Sequence, residues 1–378
     1  MSDVLMFADT LRSKELRHEV PLALGDPIGY AERDGRRHVL APTLEFPRLE
    51  AAGLDAELHP LEEYGWDDLV RSGMPTTKAQ YELTLRMCRD LGIDRAVVPG
   101  TFPVALADLL RSQGVEVTPD QELFDGRRRV KNAHELAGIR RAQAAAQAGM
   151  ATVARMLRES DRGNGTLTLD GEPLTCERVK AEVERAFADH GAGVEAIIVS
   201  HGAQSAIGHD EGSGPIAPGE TVVADLFPFD RKTGCWADMT RTFVVGEPTD
   251  EAREWHRLSL EALRRSLAAI RPGVEGREVH RVACEVFQEH GYPTQLTKQP
   301  GEVLLEGFYH SLGHGVGLEV HEEPGLSRNG QELVAGDVLA VEPGLYRQGV
   351  GGCRLEDLVL VTEDGCENLT DFPYDLEP

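Results

Sequence analysis

The segment GDVLAVEPGLY, residues 336–346, has an upstream counterpart in GETVVADLF, residues 219–227. Each opens on a glycine followed by an acid, runs through apolar residues, and reaches a carboxylate six positions after the glycine: Glu342 in one, Asp225 in the other. A second carboxylate follows in each case. Glu356, in GGCRLEDLVLV, stands 14 residues beyond Glu342, and Asp238, in WADMTRTF, stands 13 beyond Asp225. Short apolar runs bounded by glycine and proline predict strands. A separation of this size suits two antiparallel strands joined by a loop, with the paired acids at neighbouring positions.

The repetition extends to what precedes the strands. Helix 132–159 is predicted from a capping pair, Asn132 with Glu135 three positions on, and from Leu136, Ile139, Ala146, Met150, Val153 and Leu157 near one side. Helix 175–190 carries Val179, Val183 and Phe187 on one face and stops at Gly191. The order then returns. Helix 251–270 carries Trp255, Leu258, Ala262 and Leu263 and ends before Pro272-Gly273, and helix 275–290 carries Val279, Ala283, Val286 and Phe287 and stops at Gly291. Two runs of one programme predict an internal duplication, with a carboxylate pair from each half meeting across a pseudo-two-fold axis.

Between the two strand groups lies YHSLGHGVGLEVHEEPGL, residues 309–326, which holds His310, His314 and His321. One imidazole, His314, and four carboxylates, Asp225, Asp238, Glu342 and Glu356, form a candidate ligand set for two divalent cations. A lone carboxylate in a buried strand costs several kcal/mol unless it is paired or protonated, and two such cations would cancel all four charges. Oxygen-rich ligation with a single imidazole suits Mn²⁺ best, with Co²⁺, Fe²⁺ and Zn²⁺ as alternatives. Each piece also has a plainer reading. Asp238 pairs with Arg241, Glu356 pairs with Arg354, His321 is a hydrogen-bonded structural histidine, and Gly-His-Gly is a turn.

Composition narrows the partners. The 378-residue chain exceeds the usual size of a single core, so two domains are expected. A net charge of −25 excludes the basic footprint that nucleic acid or an anionic membrane surface requires. No apolar run approaches the roughly 18–20 residues of a membrane span. The N-terminus does not read as a signal peptide, and six scattered cysteines without a C-x-x-C pair suit a reducing cytoplasm. Cys235 and Cys353 fall near the proposed site and are expected to be small buried hydrophobes.

Residues 1–125 alternate strand-like and helical segments and are expected to form a smaller α/β domain, with 126–378 as the catalytic one. Asp34-Gly35 between two strand-like runs signals a hairpin, and helices are expected over 79–90 and 104–113. No catalytic constellation stands out in this part.

Residues 131–378 resemble the catalytic domain of the pita-bread metallopeptidases, the family of methionine aminopeptidase, aminopeptidase P and prolidase. The resemblance is carried by ADMTRTF, SLGHGVGLEVHE, AVEPGLY and GGCRLEDLVLVT. It implies an α/β pita-bread fold with duplicated halves behind a smaller α/β N-terminal domain, and two metals bound by Asp225, Asp238, His314, Glu342 and Glu356. It also implies Glu342 as the proton-handling residue and His209, His310 and His321 as substrate-side histidines. Arg354 would support the site or the substrate, and Thr240 would stand behind the ligands. The presence of an N-terminal domain favours the Xaa-Pro branch, with small peptides carrying proline in second position as substrates and His310 and Tyr309 as walls for the ring. A homodimer is implied by the resemblance alone. Some prolidases carry an arginine four residues after the His321 position; here that place is Gly325, and the nearest arginine is Arg328. The two aspartates usually stand 11 apart in the family, so the FPFDRKTGCW loop carries two extra residues. Retention of all five ligands argues against two relatives of the same fold, a metal-free creatinase-like hydrolase and a catalytically silent binding module.

Overall fold

The structure, a computed structural model, describes residues 3–163 and 165–378. The chain divides into two compact units, Met1–Arg128 and Arg129–Pro378. The boundary read from sequence, 125/126, falls inside the helix Gln121–Arg129.

The first unit is built on a six-stranded mixed sheet whose edge strand is Glu57–Pro60, followed in order by Arg36–Ala41, Ile28–Arg33, Asp3–Ala8, Arg95–Val98 and Glu116–Pro119. The hairpin joining Ile28–Arg33 to Arg36–Ala41 turns at Asp34 and Gly35, with φ of 51° and 78°. Both central residues lie in the left-handed region, which suits the twist of the flanking strands and selects Asp-Gly. Helices Thr76–Asp90 and Val104–Ser112 cover one face through Leu83, Met87, Leu106 and Leu110. Phe124, Leu16, Val20 and Leu49 pack against the other.

The second unit repeats itself. Helices Ala133–Arg158 and Cys176–Asp189 precede three antiparallel strands in the spatial order Ile198–His201, Thr221–Leu226, Met239–Val244. Helices Asp250–Ala269 and Gly276–Glu289 precede Gly313–Gly315, Val338–Val341 and Asp357–Val361, again with the middle segment central. Asn132 and Glu135 form the expected reciprocal cap on the first helix. Each half has its own apolar core, one centred on Met150, Val183 and Phe187, the other on Leu263, Val286 and Phe287.

The halves meet along a polar seam. The Glu356 amide donates to the Thr240 carbonyl at 3.0 Å, while Thr242 Oγ1 donates to the Arg354 carbonyl at 2.9 Å and accepts from the Arg354 amide at 3.0 Å. This stitching brings Asp225 and Asp238 of the first half to Glu342 and Glu356 of the second.

Candidate metal centre

The carboxylates are not all within strands. Asp225 is on the central strand Thr221–Leu226, opposite Thr240. Asp238 stands just before Met239–Val244, Glu342 just after Val338–Val341, and Glu356 between Gly351–Arg354 and Asp357–Val361. Strand ends leave backbone groups that a ladder does not use, so side chains there can converge from several directions. The register explains the unequal spacings. Val341 faces Asp357, which puts Glu342 directly across from Glu356, whereas Asp225 faces Thr240 and so lies diagonal to Asp238.

His314 lies in a strand between Gly313 and Gly315, not in a turn. A Cβ on Gly313 would fall 1.9 Å from the Ala340 carbonyl oxygen, and one on Gly315 would fall 2.6 Å from that of Glu323. The glycines flanking His314 therefore serve close backbone approach on both sides. His314 Nδ1 is 3.1 Å from the Gly315 carbonyl, which accepts from the Nδ1–H of the neutral ring and leaves Nε2 bare. That nitrogen faces Asp238 Oδ2 at 3.7 Å and Glu342 Oε1 at 3.8 Å. Burial, with His321 alongside, pushes the imidazole down to about 3, so it is neutral and ready to ligate.

Asp238, His314 and Glu356 each place one donor atom within 4.8 Å of the other two. Asp225 and Glu342 line the same cavity, about 110 Å³ in volume, together with His209, His321, Arg354 and the apolar Ile198, Phe227 and Val320. Two carboxylate oxygens, Asp225 Oδ1 and Asp238 Oδ1, are buried without a hydrogen-bond partner. Such orphans are costly unless a cation faces them. Burial, followed by the charges of the neighbouring carboxylates, pushes the Asp238 and Glu356 carboxyls well above their ordinary range. Burial takes Glu342 up to about 8 against the opposing pull of Arg354. Crowded acids with raised affinity for protons, an imidazole with its lone pair turned inward and two orphaned oxygens are what a site for divalent cations requires.

The plainer pairings are not made. Arg241 is fully buried and donates to Asp357 Oδ1 at 2.9 Å and to the carbonyls of Glu356 and Phe372 at 2.7 and 3.1 Å, not to Asp238. Arg354 is bound to Asp225, not to Glu356. Its Nε donates to Thr240 Oγ1 at 3.2 Å, and that hydroxyl donates in turn to Glu356 Oε2 at 2.7 Å. Arg354 and Thr240 thus fix two of the acids from behind.

The substrate-side residues divide. His209 and His321 are exposed at the cavity, the His321 ring 4.0 Å from that of His314. His310 and Tyr309 stand outside the cavity lining. His310 Nδ1 donates to the Ser311 carbonyl at 2.7 Å, and Nε2 accepts from Tyr346 Oη at 2.9 Å, so both ring nitrogens are engaged. Tyr309 donates to the Ala206 carbonyl and packs on Tyr346 with ring centroids 5.0 Å apart. Tyr346, buried and central to this cluster, was not singled out in the sequence; its one signal is its place four residues after Glu342. Cys235 and Cys353 are buried thiols raised to about 12 by burial, and neither lines the cavity.

The model of metallopeptidase family M24 matches residues 137–363, well over half of the chain. The chain belongs to metallopeptidase family M24. Among curated M24 proteins it is 38% identical over 196 residues to the Xaa-Pro dipeptidase of Pyrococcus furiosus, a match covering 51% of this chain and 52% of that one. The chain thus spans about half the length of that relative. It is 32% identical over 351 residues to the probable dipeptidase PepE of Mycobacterium tuberculosis, covering 89% of this chain and 82% of the other. Its fold matches that of the X-Pro aminopeptidase of Thermotoga maritima with a TM-score of 0.78 at 24% identity, over 99% of this chain and 97% of that one. The fold of this M24 chain is therefore the pita-bread architecture with a preceding α/β unit. Its family binds divalent metal, and the donor set described above fits that group.

Proposed function

We propose that this M24 chain is a metallo-exopeptidase that hydrolyses the bond before proline at the N-terminus of short peptides. One observation carries the reading: Asp225, Asp238, His314, Glu342 and Glu356, contributed by both halves, line one cavity, and two of their buried carboxylate oxygens lack a hydrogen-bond partner among the described residues. These five are the proposed ligands of two divalent cations, with Mn²⁺ the metal best suited to the oxygen-rich set. A bound cation pair supplies a water of lowered pKa and neutralises the clustered acids.

The protein's own groups do the rest. Glu342 sits beside His314 and within reach of Arg354 Nε at 3.9 Å, and it receives the proton released from the water on a carboxylate oxygen. His321 and His209, at the open side of the cavity, donate ring N–H groups to the oxyanion as it develops. Arg354 and Thr240 hold Asp225 and Glu356 in place. Ile198, Phe227 and Val320 offer apolar surface for a proline ring, which brings no N–H of its own. His310 acts through Tyr346 to shape the wall. Names of the relatives support the Xaa-Pro preference. Glycine at position 325, where some prolidases have arginine, supports acceptance of peptides longer than two residues. A homodimer working in the cytoplasm accords with the family resemblance.

The test compares an Xaa-Pro dipeptide with an Xaa-Pro-Yaa tripeptide, before and after chelation and Mn²⁺ readdition. Hydrolysis of both, with the tripeptide at least as fast, abolished by chelator and restored by Mn²⁺, is expected. Unchanged turnover in chelator, or cleavage of neither peptide, refutes the reading.

A further inference from the structure

The first unit carries a second cluster of metal-ligating side chains, remote in sequence from the M24 motifs. His38 lies on Arg36–Ala41, and Glu57 and His59 lie on the edge strand Glu57–Pro60. The strands are parallel, with His38 facing Glu57 and Leu40 facing His59, so the two histidines share one face of the sheet on a diagonal. Both rings are buried, at 5% and 6% exposure, while Glu57 is open to solvent. One donor atom from each of the three falls within 4.8 Å of the others.

We propose that His38, His59 and Glu57 form a binding site for a transition-metal dication of the Zn²⁺ class, which clips the edge strand to its sheet. The distances suit such an ion. Two nitrogens each about 2.0–2.1 Å from one Zn²⁺ stand roughly 3.0–3.4 Å apart, and His38 Nδ1 and His59 Nε2 are 3.1 Å apart. Glu57 Oε2 is 3.7 Å from the same His38 nitrogen, on an exposed side chain free to draw in.

A second observation points the same way. Tyr64 Oη lies 3.2 Å from His59 Nδ1 and donates to Asp90 Oδ2 at 3.1 Å. With its proton committed to Asp90, the tyrosine oxygen accepts from His59 Nδ1–H, and His59 Nε2 is left bare toward His38. Metal-binding histidines are oriented in this way, their outer N–H held by a carboxylate or an equivalent acceptor. Without an ion the ring pair is a hydrogen bond from His38. With one, His38 carries its proton on Nε2 and both lone pairs face the metal. Burial, then His59, lowers the proton affinity of His38, which favours the neutral, ligating form. The site opens to a surface hollow whose lining includes Glu63, Arg86 and Arg89. Arg86 there is held by Glu82 and the Tyr64 carbonyl, and so does not compete for Glu57.

The test uses the full chain stripped of metal, with Zn²⁺ titrated against a chromophoric chelator and counted by elemental analysis. An Asp238→Asn/Glu356→Gln variant, crippled at the M24 centre, is expected to retain one tightly held Zn²⁺. Adding His59→Asn removes it. Should that variant fold poorly, the exposed Glu57→Gln and the conservative Tyr64→Phe each weaken binding by at least about tenfold, and Glu57→Gln in the unmodified chain leaves peptidase turnover unchanged. Absence of Zn²⁺ from the double variant, or unaltered affinity after Glu57→Gln and Tyr64→Phe, overturns the proposal.

Discussion

Arg354 reaches across the seam between the two halves to bind Asp225, and leaves Glu356, two residues along its own chain, to Thr240. Both partners are nearly buried, with side-chain exposures of 6% and 12%. The guanidinium neutralises Oδ2 of Asp225 and leaves Oδ1 buried without a hydrogen-bond partner. Removing one member of a buried ion pair costs about 3–5 kcal/mol, because the other charge stays behind. Arg354→Ala is therefore expected to lower the denaturant stability of metal-stripped protein by about that amount, and by less with Mn²⁺ present, since cations then face Asp225.

Thr240 links the same elements through one hydroxyl, accepting from Arg354 and donating to Glu356. Thr240→Val keeps the shape of this fully buried side chain and deletes both bonds. A ligand released from its supporting partner typically loses about 10–100-fold in metal affinity. That loss, with an unchanged circular dichroism spectrum, is the expected result of a metal titration.

The His314 and His321 rings meet edge to face, with centroids 4.0 Å apart, yet should fail differently. His314→Ala removes a proposed ligand and is expected to lose bound metal and turnover together. His321→Ala is expected to keep its metal while kcat falls by about 10²–10³, the usual cost of one oxyanion donor. Parallel metal analysis and kinetics separate the two. Full activity in the His321 variant would remove it from the mechanism.

The duplicated helix pairs, the Asp34-Gly35 hairpin and the Asn132 cap were legible because each is a local pattern, readable within a few residues. The four carboxylates were legible because the pattern recurs. What could not be read was partner choice. Arg241 and Arg354 stand near Asp238 and Glu356 in the chain, but strand pairing turns them to Asp357 and Asp225, more than 100 residues away. His310 looked like its neighbours His314 and His321, and only the packing of Tyr346 shows that both its nitrogens are occupied. The pairing of His38 with His59 depends on the register of two parallel strands, which no periodicity encodes.

Acidity should act in opposite directions on stripped and loaded protein. Burial raises Glu342 from 4.5 to about 8. A carboxyl whose folded-state pKa is raised binds its proton more tightly in the folded chain. Its contribution is thus fully present below about 4.5, and is lost as pH rises through about 8. Thermal unfolding of chelator-treated protein should accordingly show Tm falling across that window. With Mn²⁺ in excess the same window should show a growing gain in Tm, because the ligands must lose their protons to bind.

Anomalous diffraction from Mn²⁺-loaded crystals tests the central claim most directly. Two peaks are expected, about 3.5–4 Å apart as in other two-metal sites, enclosed by Asp225, Asp238, His314, Glu342 and Glu356. A cavity with no manganese peak, or peaks held by other side chains, would contradict the assignment of this centre.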